Sequence, residues 1–395
     1  MLTPATLPAL QHALTEAGVD GWLLYDFRGL NPVAASLLGM QGMVTRRIFA
    51  WIPATGTPVA ITHAIEQAPW SAWPAAWEKV VYSAWQTLEE ALPRYVRGRR
   101  IAMEYSAGDA VPVVDRVPAG VLELVRASGA EVVTSADLVS RFFAVWTPTE
   151  IASHRANAEV LRTIALEGFQ RIGRAVAAGT PVFEHEIAEW IMAEFDRQGL
   201  EVDHGPIVAA TEHAADPHYH PSAAHPRAFR RGDVALIDLF ATSKGGQGMW
   251  ADQTWMASIG APSPRAVAVW EAVRDARDAA IALLARKLGA GEPVRGGEAD
   301  DAARAVIVAR GFGPAFTHRT GHSIDRRGLH GMGPNIDNME TRETRLLLPG
   351  VGFSIEPGIY LTGEIGMRSE VNGYLDADGT LVITPAEPQR DLVVV

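Results

Sequence analysis

Residues 234–259 read VALIDLFATSKGGQGMWADQTWMASI, and residues 351–375 read VGFSIEPGIYLTGEIGMRSEVNGYL. Each stretch is a pair of apolar, β-rich runs joined by a short turn containing glycine, the pattern of a hairpin. Each also carries two acids among apolar neighbours: Asp238 and Asp252 in the first, Glu356 and Glu370 in the second. The spacing is fourteen residues both times. The midpoints fall at the Gly245-Gly246 turn and at Gly363. A hairpin folded about its midpoint brings such residues roughly opposite each other on one face, give or take a residue or two of register. Two carboxylates ~5 Å apart repel by about 3 kcal/mol at an effective dielectric of about 20. Unpaired charge among apolar side chains is costly as well. Two such pairs on matching hairpins require compensation, either shared protons or cations between the acids.

Working outward, the same order of signals precedes both hairpins. Thr147, Pro148 and Glu150 form a helix start with a capping box. A long helix is expected from there to about Ala178, stopping at Gly179, and a second from about Val182 to Gln198. EVDHGPIVAAT then turns β-like and runs into a His-rich loop. Ser263 and Pro264 open another long helix ending near Gly289, and GGEADDAARAVIVARG gives a shorter one. A second His-rich stretch leads into the second hairpin. Helix, helix, His-rich loop and hairpin thus occur twice, which reads as a structural duplication. Residues before about 146 alternate helix and strand signals instead. Helices are expected in TLPALQHALTEAG, WQTLEEALPRYV and VPAGVLELVRASG, and strands in GWLLYD, RRIFAWIP, PVAITH and RRIAMEYS. The expected boundaries are an α/β domain over 1–146 and a second domain over 147–395.

Composition limits the partners. The net charge of −11 and the lack of a basic face argue against nucleic acid. The absence of cysteine excludes disulfides and thiolate metal sites. The first residues lack the basic and apolar segments of a signal peptide, and no apolar run approaches the ~20 residues of a membrane span. A cytoplasmic protein is the expectation.

Eight of the twelve histidines fall between 204 and 330. HRTGHSIDRRGLHG, residues 318–331, holds three of them. His322 is the best candidate for a nitrogen ligand, because Gly321 allows close backbone approach. His318 and His330 then lie around it. Four carboxylates and a neutral imidazole suit borderline-hard divalent ions such as manganese.

Together IDLF with ADQT, HRTGH, SIEPGIY and RSE resemble the creatinase, aminopeptidase P and prolidase family of proline-specific metallopeptidases. The resemblance covers about 150–390 and, more faintly, the N-terminal region. It implies a creatinase-like α/β N-terminal domain plus an α+β pita-bread C-terminal catalytic domain with two divalent ions, Mn2+ by preference and Co2+ or Zn2+ otherwise. By motif match Asp238 would chelate one ion, Asp252 and Glu370 would bridge both, and His322 and Glu356 would complete the other. The resemblance also implies catalytic or substrate-binding roles for His218, His330, His318, Arg368 and Tyr360, with Glu356 accepting a proton from an activated water. The implied activity is Xaa-Pro dipeptidase, with Xaa-Pro aminopeptidase on longer peptides and a catalytically silent peptide-binding relative as alternatives, and a homodimer as the assembly. Methionine aminopeptidases lack the large N-terminal domain and this arginine, and creatinase-type chemistry does not need the acids.

Several features depart from the family pattern. His322 and His330 are eight residues apart rather than seven, Gly331 replaces a glutamate, and His213 replaces an asparagine. His204, His220 and His225 read as polar loop residues, and Arg326 and Arg327 as exposed arginines. Trp70, Trp73, Trp77 and Trp85 read as a stripe for core or dimer contact.

Overall fold

The computed structural model describes residues 1–42, 44–246 and 248–395. The chain divides into two compact units, Met1–Phe143 and Ala144–Val395.

The first unit is built on six strands: β1 (Gly21–Asp26), β2 (Ile48–Pro53), β3 (Val59–His63), β4 (Glu78–Tyr82), β5 (Arg100–Met103) and β6 (Glu131–Thr134), in the order β4-β3-β2-β1-β5-β6. The β1–β2 and β2–β3 pairs are antiparallel, and the others are parallel. β1 and β2 are buried along their whole length, as central strands of a covered sheet are. Helices α1 (Leu7–Glu16), α2 (Pro32–Leu38), α3 (Trp85–Val96), α4 (Ala119–Ala127) and α5 (Ala136–Phe142) complete this α/β unit. The sequence reading missed α2, α5, β4 and β6. The two helices have seven residues each, too short for a clear period, and β4 and β6 are short, only partly buried, and carry no more than two or three apolar residues in a row. Of the tryptophan stripe, Trp70, Trp73 and Trp77 form a chain of edge-to-face rings at 5.2 and 5.0 Å, while Trp85 projects outward.

In the second unit α6 (Pro148–Ala177) starts at the expected cap. The Thr147 hydroxyl accepts from the Glu150 N–H at 3.3 Å, and the Glu150 carboxylate accepts from the Thr147 N–H at 2.7 Å. Then follow α7 (Glu184–Arg197), β7 (Leu200–Glu201), β8 (Ile207–Ala210), β9 (Val234–Ser243) and β10 (Ala251–Ser258). The second half repeats the plan with α8 (Pro264–Gly289), α9 (Gly296–Ala309), β11 (Ser323–Ile324), β12 (Gly352–Ile355), β13 (Gly358–Leu361), β14 (Ile365–Arg368) and β15 (Val371–Leu375), followed by β16 (Leu381–Thr384) and β17 (Val393–Val394). One sheet runs β17-β10-β9-β7, with β8 also on β9. Another runs β11-β12-β15-β16, and β13 pairs with β14.

Strand alternation decides what the acids face. Ala235, Ile237, Leu239 and Ala241 of β9, with Ala251, Trp255 and Ala257 of β10, share one core with Leu161, Ala165 and Phe169 of α6 and Ile187 and Ile191 of α7. The period of two sends Asp238, Asp252 and Thr254 to the other face. A second core joins α8 and α9 to strands of both halves through Leu236, Val273, Ala303, Phe353 and Met367.

The two hairpins differ in register. In the first, Asp252 stands opposite Phe240, and Asp238 opposite Thr254. The acids are therefore diagonal neighbours two residues out of register, not partners. A slip of two leaves their common face unchanged, where a slip of one would have reversed it. In the second, Ile355 pairs with Val371 and Gly358 with Arg368, so Glu356 and Glu370 fall opposite each other in a continuous register. The expected single hairpin is interrupted there. Pro357 has no N–H for the ladder, and the strands split into β12–β15 and β13–β14 with the two glutamates at the break.

Candidate metal centre

The two hairpins meet at their acids. The Glu370 N–H donates to the Thr254 carbonyl at 3.3 Å, and the Asp252 N–H donates to the Asn372 side chain at 2.9 Å. Asp252, His322 and Glu370 each offer a ligand atom within 4.8 Å of the other two, and all three are buried. The His322 Nε2 lies 3.3 Å from Asp252 Oδ2 and 3.4 Å from Glu356 Oε1. Its Nδ1–H donates to the Ser323 carbonyl at 3.1 Å, which turns Nε2 towards the acids. Ser354 ties the two segments together, its hydroxyl accepting the His322 N–H and donating to Glu356 Oε1, both at 2.9 Å. A Cβ at Gly321 would stand 1.9 Å from the Ser354 carbonyl oxygen, so only glycine permits this approach.

Asp238 is placed differently. Its Oδ2 accepts a close hydrogen bond from Arg368 Nη2, and Oδ1 has no partner. The Thr254 hydroxyl donates to Glu370 Oε2 at 2.9 Å, while Glu370 Oε1 also lacks a partner. Two orphaned carboxylate oxygens, buried beside a third acid and an imidazole, are what a cation-binding donor set requires. The residues therefore fit divalent ions.

The electrostatics agree. Burial pushes Asp238 up to about 7 against the pull of Arg368, with Asp252 and Glu356 adding to the rise. Burial raises Glu370 well above the usual carboxylate range, and the neighbouring acids raise it further. Burial likewise raises Asp252 although His322 opposes it. Glu356 goes the other way: burial opposes its ionisation, but His322, His318 and Arg368 outweigh it. The acids cannot all hold full charge without cations, which is the frustration the spacing foreshadowed.

Around this cluster lies a cavity of about 310 Å3, whose walls include all five proposed ligands together with His218, His318, His330 and Arg368. The His330 ring stacks on His322 at 4.0 Å and reaches the surface. The charge of His322, with burial, holds it down at about 3. Tyr360 sits behind the wall. Its hydroxyl donates to His318 Nε2 at 2.8 Å and accepts from Arg368 Nη1 at 3.1 Å, and the His318 Nδ1–H donates to the Arg319 carbonyl at 2.6 Å. Arg368 also donates through Nε to Thr254 Oγ1 at 2.9 Å. The motif-matched set is thus one connected structure.

The structure also separates residues that the sequence grouped. His213 does not reach the cavity wall; its Nδ1 meets Glu184 Oε2 at 2.9 Å and its ring packs on Tyr219. Arg326 lies 3.5 Å from Glu150, and neither it nor Arg327 lines the cavity. His204, read as an ordinary loop residue, does line it, packed on Phe240 at 4.6 Å. Arg319, Glu340, Leu329 and Ile207 were not anticipated either: Arg319 and Leu329 adjoin His318 and His330 in the His-rich stretch, Ile207 opens β8, and Glu340 comes from the segment before the second hairpin. Gly331 cannot carry the missing glutamate: a Cβ there would meet the Asp325 N at 2.8 Å. Asp325 closes this loop by accepting from the Arg327 and Met332 N–H groups at 2.8 and 3.0 Å.

The chain is similar to known proteins over most of its length. The chain is 30% identical over 396 residues to a protein of Mycobacterium tuberculosis named "Probable dipeptidase PepE", covering 97% of this chain and 94% of the relative. It is 31% identical over 189 residues to a protein of Lactobacillus helveticus named Xaa-Pro dipeptidase, covering 48% of this chain and 46% of that one. The crystal structure of dipeptidase PepE from Mycobacterium ulcerans superposes with a TM-score of 0.70 at 24% identity over 99% of this chain and 97% of that one, a likeness of fold. The sequence pattern of metallopeptidase family M24 matches residues 153–376, a span that contains both hairpins and His322. With the paired acids and the imidazole inside that span, and a relative 30% identical along nearly the whole chain, the chain belongs to metallopeptidase family M24.

Proposed function

We propose that this peptidase is an Xaa-Pro dipeptidase working with two divalent ions, manganese by preference, held by Asp238, Asp252, His322, Glu356 and Glu370. Residues 147–395 carry the catalysis in this reading. The observation that carries it is the convergence of two hairpins and the HRTGH segment on one small cavity whose buried acids include two oxygens without partners. The similarity to curated dipeptidases over the whole chain supports the reaction class.

Two divalent ions, held by those five side chains, would supply Lewis acidity and would lower the pKa of the attacking water towards neutrality. The protein's own groups do the rest. Glu356, fixed by Ser354 on one oxygen, accepts the proton of the attacking water. His330, at the cavity surface, donates a hydrogen bond to the oxygen of the scissile carbonyl as it gains charge. The Arg368–Tyr360–His318 chain fixes the wall on which the peptide rests, and His218 contacts the substrate from the opposite loop. Among the described residues no helix is long and apolar enough to cross a membrane. A cytoplasmic homodimer completes the reading. Exposed Ile65, Val81 and Trp85 of the first unit support the dimer, which sedimentation tests.

Elemental analysis after manganese loading, together with Ala-Pro hydrolysis, tests the centre. The wild-type protein is expected to hold about two ions per chain, and Asp252→Ala to lose both the ions and the activity. Full hydrolysis by a metal-free Asp252→Ala would refute the reading. Comparison of Ala-Pro with Ala-Pro-Ala separates dipeptidase from aminopeptidase action.

A further inference from the structure

Ser369 stands between two residues of the centre. On one side Arg368 grips Asp238, and on the other Glu370 keeps an oxygen without a partner. Ser369 falls in the gap between β14 and β15. The backbone bonds that cross this gap are long. The Ser369 N–H reaches the Pro357 carbonyl, and the Glu370 N–H the Thr254 carbonyl, both at 3.3 Å. Ordinary ladder bonds cluster near 2.9–3.0 Å. The interrupted sheet therefore holds Arg368 and Glu370 only loosely against β10, the strand of Asp252 and Thr254.

Behind Ser369 lies Arg277 of α8, a fully buried arginine that no step of the proposed reaction uses. Its Nη1 donates to Ser369 Oγ and to the Gln389 carbonyl, both at 2.8 Å. Its Nε and Nη2 donate to Asp278 Oδ1 at 3.0 and 2.7 Å. Gln389 carries the connection further. Its Oε1 accepts from the Met256 N–H at 3.0 Å, and its Nε2 donates to the Met256 carbonyl at 2.6 Å, so one side chain pairs with β10 as a neighbouring strand would. Met256 is two residues beyond Thr254. The guanidinium thus joins the gap in the second hairpin to a strand of the first.

Charge pairing does not account for this placement. Asp278 is partly open to solvent, and Arg390 already meets its other oxygen at 2.6 Å. A partly exposed pair returns little, and burial lowers the hold of Arg277 on its proton by more than Asp278 restores. The rigid fork is the property used: one nitrogen serves acceptors from two segments while the others anchor it to α8.

We propose that Arg277 is a positioning residue for the metal centre, fixing through Ser369 the spacing of Glu370 and Arg368 from Asp252 and Thr254. This rests on the two-ion reading above. Without the guanidinium the gap can open and the donor set loses its preformed spacing. Helix α8 keeps its place through Val269, Val273, Ala276 and Ala280, which lie in the core.

The test measures manganese retention. Loaded full-length protein is dialysed against graded chelator, the remaining manganese is counted by elemental analysis, and urea unfolding is followed on the same samples. Groups that orient metal ligands are worth about 10–100-fold in affinity. Arg277→Met is expected to weaken manganese binding by about 30-fold. Arg277→Lys is expected to recover part of that, because an ammonium can reach Ser369 but cannot also span Gln389 and Asp278. Ser369→Ala keeps the Arg277–Asp278 pair and removes only the link. It is expected to weaken binding by about tenfold while unfolding nearly as the wild type does, and it decides the matter should Arg277→Met fail to fold. Wild-type manganese retention in Ser369→Ala would show Arg277 to be merely structural and overturn the assignment, leaving the two-ion reading in place. A wild-type protein that holds no manganese would remove that reading, and this assignment with it.

Discussion

Gly321→Ala tests the closeness on which the centre depends. The Cβ would stand 1.9 Å from the Ser354 carbonyl oxygen and 2.7 Å from its carbon. Both are backbone atoms of β12, so no side chain can swing away. Restoring an ordinary contact requires the two segments to part by roughly 1.5 Å. Gly321 is held on its other side by reciprocal hydrogen bonds with Ile336, both 3.0 Å, so the strain passes to His322 and Ser354. Its backbone is not in the left-handed region, so alanine is conformationally allowed and gains about 0.4–1 kcal/mol by restricting the unfolded chain. Overpacking costs about 1–3 kcal/mol and wins. The expected net loss is about 1–2 kcal/mol by urea unfolding. The functional effect is larger, because a 1 Å displacement of a positioned group costs on the order of 100-fold in rate. The assays are kcat/KM for Ala-Pro and manganese retention on the loaded protein. A variant with wild-type turnover and stability would show that the Gly321–Ser354 approach does not position His322.

Two further predictions concern stability. Burial holds His154 down at about 4, its Nδ1–H donating to the Trp250 carbonyl at 2.7 Å and its Nε2 accepting from Thr384 at 2.6 Å. The folded state favours the neutral ring, so its contribution is fully present above pH 6.5 and is lost as pH falls from there towards 4, by about 3 kcal/mol. His154→Gln should flatten that acid limb in unfolding measured across pH, and an unchanged slope would exclude His154 as its source. Arg345 and Glu343 form a buried pair that also grips the Met332 and Gly333 carbonyls at 2.5 and 2.6 Å. Arg345→Met should cost about 3–5 kcal/mol by leaving Glu343 uncompensated, and Arg345→Met with Glu343→Leu should recover much of it; equal losses in the single and double variants would refute this.

The sequence by itself determined the elements whose cause is local. The capping box at Thr147 and the stop at Gly179 depend on groups a few residues apart, and α6 begins and ends accordingly. The acids were legible because charge inside an apolar strand is locally anomalous, and a period of two keeps Asp238 and Asp252 on one face even when the register moves. Only the tertiary structure decided that register, because the turn around Gly245 and Gly246 sets it and the composition of that turn allows more than one. It also decided the break at Glu356 and Glu370, which needs Pro357 to meet the partner strand. The cavity wall lay furthest from the sequence. Arg319, Glu340, His204 and Phe240 come from separate segments and satisfy no shared spacing. What unites them is the packing of strand and loop segments around the acids, a long-range outcome that no local pattern encodes.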